Sequence, residues 1–579
     1  MSWSAYLLSG LPLILLAAQL QAADLPAGAT PGGALPNLDS EILEPFVYPD
    51  SALPPEPEQI RSTEIDAPRM LVRGFRIRGV KAHEAIGISQ ASIELLVKTE
   101  AQALLAGEAS RGFTISMFES ITSAIARFYR ERGYFLARAF IPAQKVADGI
   151  VTINIAEGFI DQIVYRGNQL YSTEQLDALF NPLEGKSVFL DDIEQAVFIA
   201  NDFPGLQASI LFGPGLKPGS SAIQVNLDEQ PAKGFISFDN YGSNFTGENR
   251  LRGNYQRHNL LGNADRLNMN LIFTLNPQNS LYYDIVYEQP LLDNRYLVGG
   301  SYSSNTFDVA GTLADLGING TSVIVNGYMT RILSRARNER MTTSVDFSMK
   351  AAESKVISTV DSRDTLSVFG FIGDYAGTSW SSSNAYQQLN AKLSIGVPDF
   401  LGSMDSNGDG LSGRRGNNDV RASGGFTKIN FDYLRVQRLT ELQRLVYRFS
   451  AQLSSDLLTS LEQFSLGGPD TVRAYPVAEA LMDQAWLASI EWRANASPEV
   501  PQTWFNGLQF SVFFDYAQGT LNDPLTNDID SVTLSGLGFG IDARPFNRVQ
   551  ARVQLAFDFG DEPSDSQTLP FYFSLRHDF

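Results

Sequence analysis

The chain has 579 residues, a formal net charge of -20 and no cysteine. That length exceeds one ordinary domain, and without thiols neither a disulfide framework nor a thiolate metal site can form. The acidity argues against a broad nucleic-acid surface, and the three histidines, His83, His258 and His577, are too scattered to suggest metal ligation.

The chain opens with an apolar run, Leu7 to Ala18, followed by small residues up to Ala22 and Ala23. Residues 1–23 read as a secretory signal peptide. An N-terminal anchor helix is the alternative, but the run is shorter than the ~20 residues a spanning helix needs. Residues 24–69 are rich in Pro, Gly and acidic groups, show no periodicity, and read as a linker or loosely held extended segment.

Mixed helix and strand patterns follow. RGFRIRGV (73–80) alternates as a strand does, and residues 116–131 place Phe118, Ile121, Ile125 and Tyr129 on one helical face. FLARAFIP and GIVTINIAEG read as strands. A second unit repeats the order: strand FIDQIVYRGN, helices TEQLDALF and LDDIEQAVFIAND, then strands LQASILFGPG and SAIQVNLDEQ. The second of those helices is expected to be capped in part by Asp191 or Asp192. These βααββ-like units are assigned to 70–158 and 159–233. GPGLKPGS (213–220) carries glycines but lies between two strands, so a hairpin turn is expected rather than a phosphate loop.

From residue 234 the texture changes to a period of two, with one oily and one wet face. In LQFSVFFDYAQG, Leu508, Phe510, Val512, Phe514 and Tyr516 share a face and Asp515 lies on the other. Sixteen such segments start near residues 234, 248, 265, 281, 295, 321, 341, 365, 386, 422, 443, 485, 508, 531, 548 and 569. The spacing is about 22 residues, as for membrane strands of ~9–11 residues plus turns. A soluble sandwich could bury neither face while charges recur on the wet one; a barrel with a wet lumen accepts both. Trp486, Trp492, Tyr282, Tyr287 and Phe571 to Phe573 are expected in interfacial girdles. Residues 234–579 are therefore expected to form a transmembrane β-barrel of 16 antiparallel strands. Its turns after odd strands face outward, among them 305–320, 397–421 and 455–484. The loop DSNGDGLSGRRG (405–416) lacks the closing carboxylate of a calcium loop, because Gly416 stands there, and reads as a flexible polar loop.

Loop 455–484 is nominally exposed, yet Val472, Tyr475, Pro476 and Val477 surround a single Arg473. Such a cluster suggests that the loop folds back into the lumen. Arg473 then needs a carboxylate to offset its desolvation, and Asp515 on the thirteenth strand is the candidate. In a partly wet lumen the pair is expected to contribute about 1–3 kcal/mol.

With these residues in view, 70–579 resembles the two-partner secretion transporters, the ShlB/FhaC/HecB-like branch of the Omp85 superfamily. The loop-tip motif of that family, Val-Arg-Gly-Tyr/Phe, matches Val472-Arg473-Ala474-Tyr475, and its barrel motif, Phe-x-Asp-x-Gly, matches Phe513, Asp515 and Ala517. FYRERGYFLARAFIP (128–142) resembles the exit of the first POTRA helix, and Phe579 resembles the closing residue read as an assembly signal. Both motif glycines are Ala here, and the plug helix of the family is hard to place in the Pro- and Gly-rich stretch 24–41.

The resemblance implies two periplasmic POTRA domains before the barrel, in the outer membrane of a Gram-negative bacterium. It implies type V secretion of one large exoprotein, a β-helical adhesin or cytolysin, with outer membrane lipids, periplasmic chaperones and barrel-assembly machinery as further partners. No catalytic residues, metal, cofactor or nucleic acid are expected. The alternative is an outer-membrane protein insertase of the same superfamily.

Overall fold

The computed structural model describes residues 26–36, 68–105 and 112–579, apart from 147, 218, 276, 292–293, 337, 379–383, 498–505, 527, 547 and 566–569. The signal peptide expected over 1–23 lies outside the described residues. The chain divides into two compact units, one of residues 47–230 and one joining 1–46 to 231–579.

The first unit holds two small α+β domains. In one, β1 (Gly74–Arg78), β2 (Arg138–Phe140) and β3 (Ile150–Ala156) form a sheet ordered β1-β3-β2, with β1 and β3 parallel. Helices Gln90–Leu105 and Ile115–Arg130 accompany it. Ile121, Ile125 and Tyr129 are buried with Ile93, Val97 and Ile153, and Thr114 caps the second helix by accepting from the Met117 N–H at 3.3 Å. The sequence pattern left the first helix unassigned. Its buried residues, Ile93, Val97 and Ala101, form a narrow stripe, and Leu95 is exposed, so the amphipathic signal is weak.

The other domain repeats the plan with β4 (Phe159–Arg166), β5 (Leu206–Pro214) and β6 (Ser220–Glu229) in the order β4-β6-β5. Its helices are Thr173–Phe180, begun by a reciprocal Ser172–Gln175 capping box, and Leu190–Asp202. Asp191 and Asp192 do not cap the latter. They lie in its first turn, where they complement the helix dipole, and the cap position is Phe189 without a side-chain bond.

Glu157 joins the two domains. Its buried carboxylate accepts from Ser187 Oγ at 3.0 Å, meets His83 Nε2 at 2.9 Å, and lies 3.5 Å from Lys81 Nζ. His83 Nδ1 meets the Tyr134 hydroxyl at 3.0 Å, and the Tyr134 ring packs against Phe189 with centroids 4.5 Å apart. Burial, with Glu157 nearby, pushes the Tyr129 phenol up to about 12.

In the second unit, sixteen strands close into an antiparallel barrel. They are β7 (Ala232–Asp239), β8 (Arg250–His258), β9 (Arg266–Thr274), β10 (Ser280–Leu291), β11 (Tyr296–Asp308), β12 (Ile318–Ala336), β13 (Glu339–Val356), β14 (Thr359–Gly377), β15 (Ala385–Gly396), β16 (Phe426–Arg438), β17 (Gln443–Ser454), β20 (Ala480–Met482 being β19; Gln484–Asn495 being β20 itself), β21 (Asn506–Thr520), β22 (Ser531–Phe546), β23 (Val549–Asp558) and β24 (Phe571–Asp578). The short hairpin of β18 (Phe464–Leu466) and β19 belongs to the loop after β17.

Each expected strand start lies within six residues of an observed one, and the first strand begins at Ala232 rather than at 234. On β21, Phe510 and Phe514 are exposed while Ser511, Phe513, Asp515 and Ala517 are buried inward, as the alternation requires. Outside, Phe431, Phe449, Trp486 and Tyr516 form a run of ring contacts at 6.1, 6.4 and 5.1 Å across four strands, an aromatic girdle. Tyr282 is a correction. It has the parity opposite to Tyr287 and is buried, beside the inward Asp284. Tyr572 likewise points inward between Phe571 and Phe573.

The seam between β24 and β7 pairs five residues, from Ser574↔Asp239 to Asp578↔Phe235, whereas β12 and β13 pair along nearly their whole length. Gly234 and Phe579 extend the seam by exchanging backbone bonds of 3.0 and 2.9 Å. At its other end the Asn240 amide donates to Phe571 O at 2.6 Å and accepts from Phe573 N at 2.8 Å.

Residues 26–36 correct the expectation of a linker. No α-helix forms there; the 3-10 turn Ala27–Ala29 and the turns after it pack on the barrel. Ala29 is buried with Phe307, Val309 and Ile318, Asn305 Nδ2 donates to Ala34 O at 3.0 Å, and Gly32 N donates to Ser460 Oγ at 3.3 Å. A Cβ on Gly32 would stand 1.9 Å from Ser460 O. The glycines that read as looseness are what permit this close approach.

Candidate functional site: an infolded loop seated on the barrel wall

The loop between β17 and β20 turns into the barrel. Gly467 and Gly468 hold φ of +94° and +106°, a backbone that side chains rarely adopt. A Cβ on Gly467 would meet Pro476 O at 2.3 Å. This reversal presents Val472, Arg473, Ala474 and Tyr475 to the wall, all of them buried.

Arg473 is the centre of the contact. Its Nε and Nη2 donate to the two oxygens of Asp515 at 2.8 Å each, in a fork. Its backbone N also donates to Asp515 Oδ2, at 3.1 Å. Nη1 donates to Glu491 Oε2 at 2.7 Å and Nη2 to Ser489 Oγ at 3.2 Å, and Ser489 in turn donates to Asp515 Oδ1 at 2.7 Å. The guanidinium lies over the Phe513 ring, 3.4 Å from its centroid. Glu491 also accepts from Arg493 Nε at 2.7 Å. Arg473 and Arg493 therefore face Asp515 and Glu491 at close range, with Arg448 Nη2 4.0 Å from Glu491, and both Arg473 and Asp515 are shut off from water.

The register explains the convergence. Ser489 pairs with Asp515 and Glu491 with Phe513 across β20 and β21. The sequence reading found Arg473 and Asp515 but missed Glu491. The signal was present: in QAWLASIEWRAN the exposed face takes Trp486, Ile490 and Trp492, which leaves Glu491 and Arg493 inward.

The two alanines have a seat. Ala517 is fully buried in the apolar cluster with Val472, Tyr475, Leu487 and Leu534. Ala474 packs against Gly536 of β22, where an added Cβ would stand 2.4 Å from the Ala474 Cβ. The methyl at 474 thus occupies space that Gly536 leaves open. Tyr475 donates its hydroxyl proton to Asp561 O at 2.8 Å and accepts at its backbone O from Tyr572 OH at 2.7 Å.

The loop is also held near its ends. Asp483 pairs with Arg414, and accepts from Leu458 N at 3.2 Å and Asn522 N at 2.7 Å. Arg414 lies in loop 405–416, so that stretch is tied into the fold rather than a free polar loop. Its Asp405 and Asp409 accept local backbone N–H groups at 2.8 and 3.1 Å instead of forming half a calcium site. Among the described residues no group of His, Cys, Asp and Glu is arranged to hold a metal. Beside the infolded loop a cavity of about 880 Å³ remains, lined by Arg250, Asn390, Lys428, Asn430, Asp432 and Arg448 among others.

A closed barrel with a charged interior, an infolded loop and two preceding α+β domains defines an outer-membrane β-barrel transporter with periplasmic POTRA domains. The family described as haemolysin secretion/activation protein ShlB/FhaC/HecB matches residues 219–543, and the POTRA domain of ShlB type matches residues 85–158. The chain belongs to the ShlB/FhaC/HecB family of two-partner secretion transporters.

Among curated relatives, the heme/hemopexin transporter protein HuxB of Haemophilus influenzae (strain 86-028NP) is 23% identical over 502 residues, covering 83% of this chain and 84% of that protein. The outer membrane transporter CdiB of Dickeya dadantii (strain 3937) is 33% identical over 174 residues, 30% of each chain. The solved structure of CdiB from Escherichia coli shares the fold with a TM-score of 0.66, at 20% identity, covering 90% of this chain and 93% of that one. CdiB from Acinetobacter baumannii aligns with a TM-score of 0.56 at 17% identity, over 98% and 96% of the two chains. The protein is an outer-membrane translocator of a partner exoprotein.

Proposed function

We propose that the N-terminal domains capture the exoprotein unfolded in the periplasm and that it crosses through the barrel lumen once loop 455–484 leaves its seat. The observation that carries this reading is the buried fork of Arg473 on Asp515: the loop enters a polar lumen and is seated there by non-covalent contacts centred on that pair, which can be released without opening the wall. The lumen shields an extended backbone from lipid, where bare N–H and C=O groups would be prohibitive. β4 and β5 are the edge strands of their sheet, the position at which an unfolded segment can add as a further strand. Val472, Ala474 and Tyr475 seat the loop tip, Phe513 and Ala517 complete the wall, and Phe579 serves barrel assembly with periplasmic chaperones and the assembly machinery. The cargo is a large β-helical adhesin or cytolysin, whose folding outside biases export.

The short β24–β7 seam favours a second reading, insertion of other barrels through an opened seam. Cysteines replacing Phe238 and Leu575, a register pair on that seam, separate the two in a chain that has no native Cys. Lumenal transport predicts that the oxidised, locked barrel still secretes. Loss of secretion restored by reductant would favour the seam.

A further inference from the structure

The seat of Arg473 is matched by a contact of opposite polarity on the same loop. Glu462 lies between β17 and β18, and its side chain is almost wholly buried. Lys350 of β13 places Nζ 2.7 Å from one carboxylate oxygen, and Lys428 of β16 places Nζ 2.9 Å from the other. Lys428 Nζ also donates to the backbone O of Glu462 at 2.8 Å, and that oxygen accepts from Gln452 Nε2 at 3.0 Å. Side chain and backbone are therefore fixed together.

Strands β13 and β16 are not neighbours; β14 and β15 lie between them. One carboxylate reaches both lysines only from within the lumen, so the contact exists only while the loop is folded in. Two lysines on the wall meet one anion on the loop, whereas at the tip two wall carboxylates, Asp515 and Glu491, meet one loop cation. If the loop left, Lys350 and Lys428 would lose that counter-charge inside the barrel, as Asp515 would lose its own. Removing one partner while the loop stays seated leaves the other charge buried and uncompensated, which is costly and favours the open state.

We propose that Glu462, with Lys350 and Lys428, is a second latch that positions the infolded loop, and that opening the pore requires release of both latches. The proposal rests on the loop acting as the gate, as set out above. Glu462 is a positioning residue and need not touch the cargo.

The test uses the full-length protein, with conductance in planar lipid bilayers and secretion in cells read separately. Heat-modifiable migration reports barrel assembly. Glu462→Gln keeps the shape and removes the charge, so it should raise the open population by about 10- to 100-fold, the range for losing hydrogen bonds to a charged group. The double variant Lys350→Gln, Lys428→Gln removes the same pairs from the wall and should open the pore comparably, which keeps the test decisive if the Glu462 variant does not assemble. Reversal of all three charges, Glu462→Lys with Lys350→Glu and Lys428→Glu, should return conductance toward the parent. Arg473→Ala is the control for the gate itself. If it opens the pore while the Glu462 and Lys350/Lys428 variants stay closed, the second latch is wrong. If none of them changes conductance, the gate reading fails with it.

Discussion

Replacing Arg473 by Ala removes two bonds to Asp515, one to Glu491 and one to Ser489 in a site closed to water. Truncating one partner of a buried charge pair costs about 3–5 kcal/mol, more than the 1–3 kcal/mol expected for a partly wet lumen. At about 1.4 kcal/mol per factor of ten, the seated population of the loop should fall by roughly two to three and a half powers of ten. Asp515→Ala should cost less, about 1.5–3 kcal/mol, because Glu491 still accepts from Nη1. Arg473→Lys should behave nearer to Ala than to the parent, since one ammonium cannot reproduce a fork that serves two carboxylates. The double variant Arg473→Ala, Asp515→Ala should be little worse than Arg473→Ala alone, because both remove one shared interaction. Open probability in bilayers gives the free energy for each variant, and secretion from cells reports the consequence. Additive effects would refute the pairing as the seat of the loop.

Three further outcomes are expected. Gly536→Ala should clash with the Ala474 methyl and unseat the loop at a cost of about 1–3 kcal/mol, and adding Ala474→Gly should restore low conductance; failure of that rescue would mean the two do not share space. Phe514→Arg faces lipid and should destabilise the barrel by about 2–4 kcal/mol if it lies near the bilayer midplane, as read by urea titration in vesicles, and spin labels at Leu508, Phe510, Val512 and Phe514 should report lipid contact while one at Asp515 should not. Glu157→Ala should loosen the contact between the two N-terminal domains by about 1–3 kcal/mol through the loss of its bonds with His83 and Ser187, measured as earlier unfolding of the isolated 70–230 segment relative to its parent, with unchanged unfolding counting against the network.

The barrel was legible because the lipid and lumen faces impose a strict period of two on every strand. The same rule turns Asp515 inward. Arg473 stood out as one cation in an apolar tip. Glu491 and Glu462 were harder to see for different reasons. The alternation turns Glu491 inward, but it does the same for Arg493 on a wall rich in charge, so nothing marks Glu491 as a partner of Arg473. Glu462 lies in an irregular loop, and its partners Lys350 and Lys428 are on strands more than one position apart, a juxtaposition that only barrel closure creates. The segment 26–36 was misread because proline and glycine signal both disorder and tight packing. What decides between them is the surface it meets, here Ser243, Ser460 and Asn305.

Transport through the lumen is tested most directly by photocrosslinking from two adjacent residues of β16. Asn430 lines the inner cavity, and Ile429 is exposed on the outer face. A photoreactive amino acid is placed at each, and the exoprotein whose secretion depends on this chain is stalled in transit by a fused, tightly folded domain. Lumenal passage predicts an exoprotein adduct from position 430 and none from 429. An adduct from 429 with none from 430 would contradict it.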